Sequence, residues 1–249
     1  MEVLLTKRLF RSLWRSKIRL VAVVLIIMVG VMSGIAFGHY AHMTTNMYSE
    51  IYEDSEKGVN LADIWVENPR AVWNLEESEN LCEQISQQWI NSELPMVECE
   101  PRLVLEGLLI ADEKDGTERL IPGVWHGIDE GYVDRVWMPN DSCCKGRLAE
   151  SHDEIVLDAH VVEGLGVELG DVVTIGAGQG TLDFTIVGLG YHPMHLYFAA
   201  PGSIVPAESG TFATGYLTSS GLETLANLSQ GSANFLLIDV LGTPEYDLQ

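Results

Sequence analysis

The sequence predicts an α+β protein carried on one N-terminal transmembrane helix, and three observations predict it. An uncharged apolar run extends from Leu20 to Gly38, apolar residues follow a β-α-β pattern near both ends of the remainder, and a glycine-punctuated, β-rich stretch lies between them. The 211 residues after Gly38 suffice for one substantial core or two small subdomains.

The apolar run spans residues 20–38, with Ser33 as its sole hydroxyl. As a helix it is about 28 Å long, close to the hydrocarbon thickness of a bilayer. Eleven of its residues are Leu, Ile, Val or Phe, so insertion is favourable by about 3 to 7 kcal/mol. A soluble helix of this length would show a polar face, and this one has none. Ala36-Phe37-Gly38 offers small residues at the positions a signal peptidase reads. The run nevertheless exceeds a secretory apolar core and follows a long basic segment, which makes it an uncleaved anchor.

Charge orients this anchor. The chain has 14 basic and 36 acidic residues, a net charge of -22. Six of the basic ones (Lys7, Arg8, Arg11, Arg15, Lys17, Arg19) precede the span, where Glu2 is the sole acid; eight basic and 35 acidic residues follow, a net charge of -27. The basic flank predicts a cytoplasmic N-terminus and an extracytoplasmic domain in the cell membrane. So acidic a domain repels phosphate backbones, which excludes nucleic acid as a partner.

Residues 1–19 read as an interfacial helix. Leu5, Leu9, Phe10, Leu13 and Trp14 fill one half of the wheel and Lys7, Arg8, Arg11 and Arg15 the other, a pattern suited to anionic membrane lipid. Within the span, Gly30, Gly34 and Gly38 recur every fourth residue and predict a helix-packing groove. Beyond it, residues 39–60 read as a helical stalk with Tyr40, Tyr48 and Tyr52 on one stripe and Met43, Met47 and Ile51 beside it.

From Leu61 the pattern predicts a strand at 62–69, a helix at 77–90 and a strand or strand pair at 97–111. A similar unit closes the chain, with strands at 215–219 and 234–240 around a helix at 220–228. Between them, strands are expected at 154–157, 171–175 and 182–187. The last two flank a glycine turn at 176–180, one or two helical turns are expected at 160–164, and 139–146 reads as loop. Of the four cysteines, Cys143 and Cys144 are adjacent and adjacent cysteines rarely bond each other. A Cys82–Cys99 bridge is therefore the simplest pairing, beside the alternative of free thiols.

Three segments together resemble the ABC-exporter permeases of the MacB and FtsX type: RSLWRSKIRLVAVVLIIMVGVMSG entering the span, NLADIWVENP after the stalk, and EIVLDAHVVEGLGVELGDVVTI followed by LDFTIVGLG. The family's turn-and-strand pattern falls on Leu165-Gly166, Gly170-Asp171, Val173, Ile175 and Val187-Gly188. The Gly-Asp pair reads as a tight turn feeding a strand. The resemblance implies a MacB-like core domain over 61–249, with a porter-like subdomain (61–118 and 195–249, a split β-α-β) and an inserted β-rich subdomain (119–194). It further implies a non-catalytic permease subunit, dimerised with itself or a paralogue and driven by a cytoplasmic ABC ATPase. Later spans are expected to follow, so the chain reads as the front part of such a permease.

No catalytic, cofactor or metal site is expected. Gly176 to Gly180 is too short for a dinucleotide fingerprint and lacks the Lys-Ser or Lys-Thr of a phosphate loop. His39 with His42, and His192 with His195, each offer two ligands without a third at helical spacing. Two other functions compete with the permease reading: an anchored receptor without a motor, and an anchored hydrolase using His192 or His195.

Overall fold

The computed structural model describes residues 17–52, 61–91, 97–112, 118–129, 134–138, 144–192, 195, 198–203 and 205–240. Of the interfacial helix expected over residues 1–19, residues 1–16 lie outside them and 17–19 belong to the first helix described. The chain divides into two units, Met1–Glu50 and Ile51–Gln249.

The described part of the first unit is helix α1, Lys17–Tyr52, whose last two residues fall in the second unit and whose 36 residues give a length of about 54 Å. Its stretch Val21–Thr45 is apolar and long enough to cross a membrane. The helix does not stop at Gly38. Thr44 and Thr45 fold their hydroxyls back onto the carbonyls of Tyr40 and Ala41, both at 2.9 Å, so these polar side chains sit on the helix without breaking it.

The second unit is mixed α/β and β-rich. Its first layer is a three-stranded sheet of β1 (Ile64–Glu67), β9 (Phe235–Val240) and β2 (Val97–Arg102), with β9 central and antiparallel to both neighbours. Helix α2 (Leu75–Asn91) connects β1 to β2. It begins two residues before the predicted start because Asn74 and Glu77 cap it reciprocally. Asn74 Oδ1 accepts the Glu77 N–H at 2.9 Å, and Glu77 Oε2 accepts the Asn74 N–H at 3.0 Å.

The second layer is a closed barrel in the order β3 (Val104–Asp112), β4 (Glu118–Gly127), β8 (Ala213–Leu217), β5 (Glu154–Asp158), β7 (Gly180–Gly190) and β6 (Val172–Ala177). The β4–β8 and β5–β7 pairs are parallel and the rest antiparallel. The barrel takes strands from both sides of residues 119 and 194: β3 and β8 belong to it, although the sequence pattern grouped them with the sheet. Strands β8 and β9, expected as one unit around helix α4 (Ser219–Ala226), join different sheets.

Strand β4 was not expected, because Pro122 and Gly123 interrupt its pattern. Pro122 is exposed, and β8 pairs only from Gly123 onward, so the missing N–H falls where β4 has one sheet neighbour. The turn at Gly170-Asp171 takes the expected form: Gly170 has φ 92°, and Asp171 Oδ2 accepts the Glu168 N–H at 2.8 Å just before β6. Short helix α3 (Ala159–Leu165) runs from an Asp158 N-cap to a left-handed Gly166.

Trp125 fills the barrel and is fully buried among Leu109, Ile121, Ile155, Leu157 and Leu217. Glycines face its indole from three strands. A Cβ on Gly107 would come within 2.6 Å of the indole nitrogen, one on Gly123 within 2.6 Å of Cζ2, and one on Gly215 within 3.2 Å of Cζ3. Sheet and barrel meet at Asn234, whose amide both accepts from the Val104 N–H and donates to its carbonyl, each at 2.8 Å. The side chain thereby imitates a strand residue.

Gly123→Ala should lower unfolding stability by about 1 to 3 kcal/mol through overpacking, and Trp125→Ala by about 3 to 5 kcal/mol, both measured by urea denaturation. A neutral Gly123→Ala would contradict the tight packing around the indole.

Candidate functional site

On α1, Gly30, Gly34 and Gly38 lie along one face with nothing within 4 Å of the position a Cβ would take, which leaves a smooth open strip. Tyr40 and Met43 are exposed. The side chains of Met47, Tyr48, Ile51 and Tyr52 lie outside the described ones. His39 and His42 are exposed on the same helix.

Cys82 on α2 and Cys99 on β2 form a disulfide across 17 residues of sequence, with Cα atoms 5.5 Å apart. This bond fastens the helix to the sheet it covers. Cys144 is buried and also disulfide-bonded; the expected loop at 139–146 is described only from Cys144 onward.

The densest chemistry lies elsewhere, between the barrel wall and the segments that cover it. Alternation along β4 turns Trp125 inward and His126 outward, and on β8 the neighbouring Tyr216, paired with His126, also turns outward. Over them lie Asp134–Met138 with Tyr191, His192 and His195, bridged where Trp137 and Tyr191 exchange N–H to carbonyl bonds at 2.7 and 3.0 Å. Ile128 and Val136 pack against Val156 and Tyr216 to seal the space.

Three imidazoles occupy it. His126 stacks on His192 with ring centroids 5.0 Å apart and meets His195 edge-on at 5.1 Å. The Nε2 atoms of His126 and His195 are 3.0 Å apart, so one donates its proton to the other. His126 Nδ1 is buried without a hydrogen-bond partner. His192 Nε2 donates to the Asp134 carbonyl at 3.0 Å and the ring stacks on Tyr216. Asp158, at the end of β5, takes His160 Nδ1 at 2.7 Å and the Tyr216 hydroxyl at 3.4 Å.

Asp134 ties this cluster to the sheet. It is fully buried and left-handed at φ 47°, a region that Asp tolerates better than most residues. Its carboxylate accepts the Ala62 N–H at 2.8 Å and the Trp65 indole N–H at 3.0 Å, both beside or on β1. Its carbonyl accepts from Arg102 at 3.2 Å, whose buried guanidinium also pairs with Glu100 at 2.7 Å. One residue therefore joins β1, β2 and the barrel cover.

Burial keeps these histidines neutral. It is the largest cause pushing His126 and His192 well below their ordinary pKa, with neighbouring imidazoles and Arg102 adding to it. His195 is also lowered by burial, against a smaller upward pull from Asp158. His160 is raised, chiefly by its hydrogen bond to Asp158. Among the described residues no group of three or more His, Cys, Asp or Glu is arranged to hold a metal ion. Of the pair read from sequence, both His192 and His195 are buried against aromatic rings, so neither is presented to a cleft. His126, Asp134, Asp158 and Tyr216 gave no sequence signal: each is a lone polar residue in an apolar or loop context.

Two outcomes follow. Removing the disulfide as Cys82→Ala with Cys99→Ala should lower stability by about 3 kcal/mol, and reducing agent should have no further effect at that pair. For pH, the unfolded chain binds protons near pH 6.5 where His126, His192 and His195 do not. Stability is then highest above about pH 6.5 and falls as pH drops below it, by about 1.4 kcal/mol per pH unit per histidine, with His160 acting in the opposite sense. A thermal scan should show a melting temperature lower by about 4 to 10 °C at pH 5.5 than at pH 7.5; an equal or higher value at pH 5.5 would contradict neutral burial.

No protein-family model matches the chain, and no curated protein does. Among solved structures, it is similar to the crystal structure of the periplasmic region of MacB from Actinobacillus actinomycetemcomitans, at 13% sequence identity and a TM-score of 0.38. The match covers 70% of this chain and 66% of that one, so the chain spans just under two thirds of that structure. At that identity and score the likeness assigns no activity.

Proposed function

We propose that this chain is a non-catalytic permease-type subunit of an ABC transporter, with its N-terminus in the cytoplasm and residues 61–249 outside. In this reading a partner ATPase drives a pair of such chains, as homodimer or with a paralogue, and the movement reaches the domain through α1. The observation that carries it is the unbroken helix Lys17–Tyr52, which continues past the apolar stretch Val21–Thr45. A tether needs only enough apolar length to cross; a transmitter also needs stiffness beyond the membrane, which a continuous helix supplies.

Further support comes from charge and from the small-residue face. Six basic residues precede the span and a net -27 follows it, the asymmetry that favours this orientation. The open strip at Gly30, Gly34 and Gly38 suits close approach of another helix, as an assembly of spans requires.

Met47→Pro tests the reading. It breaks α1 beyond the membrane at a cost of about 3 kcal/mol in helix stability. With the ATPase co-expressed in proteoliposomes, a cysteine at Met47 should cross-link to a neighbouring helix in a yield that changes when ATP binds. Met47→Pro should leave hydrolysis running and abolish ATP-dependent changes at a reporter on the domain. Retained ATP-dependent changes in Met47→Pro would reduce the helix to a tether and favour an anchored receptor.

A further inference from the structure

The histidine cluster sits where three separate parts of the domain converge, and at His126 its geometry leaves no place for another proton. His126 and His195 share a single N–H between Nε2 atoms 3.0 Å apart. A proton added at that contact makes both nitrogens donors and breaks it. A proton added at His126 Nδ1 is buried with no acceptor. His192 already donates through Nε2 to the Asp134 carbonyl, and it lies flat between His126 and Tyr216.

The surroundings oppose added positive charge on one side and attract it on the other. From β2, the buried Arg102 guanidinium, paired with Glu100, bonds the same Asp134 carbonyl that His192 uses. From β8, Tyr216 offers a neutral ring. From β5 comes the Asp158 carboxylate, already engaged by His160 of α3. Protonated His195 therefore loses its shared N–H contact with His126 while feeling the pull of the Asp158 carboxylate.

What the cluster holds is specific. The His192 bond fixes Asp134, whose carboxylate in turn fixes the Ala62 amide and the Trp65 indole at β1. We propose that His126, His192 and His195 form an acid-released latch: closed when neutral, it clamps the Asp134–Met138 segment to the barrel and, through Asp134, fastens the barrel to strand β1. Protonation opens it, freeing the segment and loosening the joint between the two layers while the barrel core, built on Trp125, stays closed. Acid acts through the open form: freed histidines titrate near pH 6.5, whereas burial lowers the pKa of the closed cluster, so opening takes up protons as the pH falls. This inference concerns the domain alone and is independent of any transport role.

Hydrogen exchange of the full chain in lipid nanodiscs at pH 7.5 and pH 5.5, corrected for intrinsic exchange, tests it. The amides of Ala62, Trp137 and Tyr191 should exchange at least tenfold faster at pH 5.5, with those of the β6–β7 hairpin unchanged. His195→Gln keeps an acceptor for His126 but does not titrate, and should reduce the acid effect by up to about tenfold relative to wild type. Equal exchange at both pH values, acceleration spread evenly through the hairpin, or an undiminished acid response in His195→Gln would each overturn the latch. A His195→Gln chain open at both pH values would also count against it, since an acceptor retained at that position should hold the latch closed.

Discussion

Trp125 and the glycines around it set the constraint from which the rest of the domain follows. An indole is too large for the middle of a six-stranded barrel unless the facing positions give up their side chains, and Gly107, Gly123 and Gly215 do so. Fixing Trp125 inward fixes the register of β4 against β3 and β8. Because side chains alternate along a strand, it also fixes His126 and the paired Tyr216 on the outer wall. The core and the buried polar cluster are thus two faces of one strand choice.

A second layer then has to be held to this barrel, and apolar contact is not the sole means. Asn234 completes strand-like bonding to Val104, and Asp134 spends its carboxylate on β1 and its carbonyl on Arg102 and His192. Buried polar groups are costly unless satisfied, and their geometry is directional. Such a junction specifies one arrangement of the layers and is also sensitive to anything that changes the charge of its members. Apolar packing of equal area would be stable across pH and would carry no such sensitivity.

Helix α1 obeys a different physics. Its apolar residues from Val21 to Met43 are exposed, and its glycines face open space, which in water would be unfavourable and in a bilayer is the normal condition of a span. The domain gains its stability from burial and from disulfide bonding, whereas the helix gains its own from backbone hydrogen bonding and its solvent.

What the sequence determined by itself was local. The apolar run gave the helix, periodicity gave α2, α4 and most strands, the Gly-Asp pair gave the turn before β6, and cysteine spacing pointed to Cys82 with Cys99. Each of these signals is written in residues within a few positions of one another, or in a pairing with few alternatives. Tertiary structure alone decided that β3 and β8 join the barrel, that a strand containing Pro122 is tolerated where β8 has not yet begun, and that His126, Asp134, Asp158, His192, His195 and Tyr216 meet. Those residues stand up to 90 positions apart, counted from His126 to Tyr216, and carry no shared periodicity. They become neighbours only because closing a barrel brings distant strands into register and leaves their outward side chains to be covered.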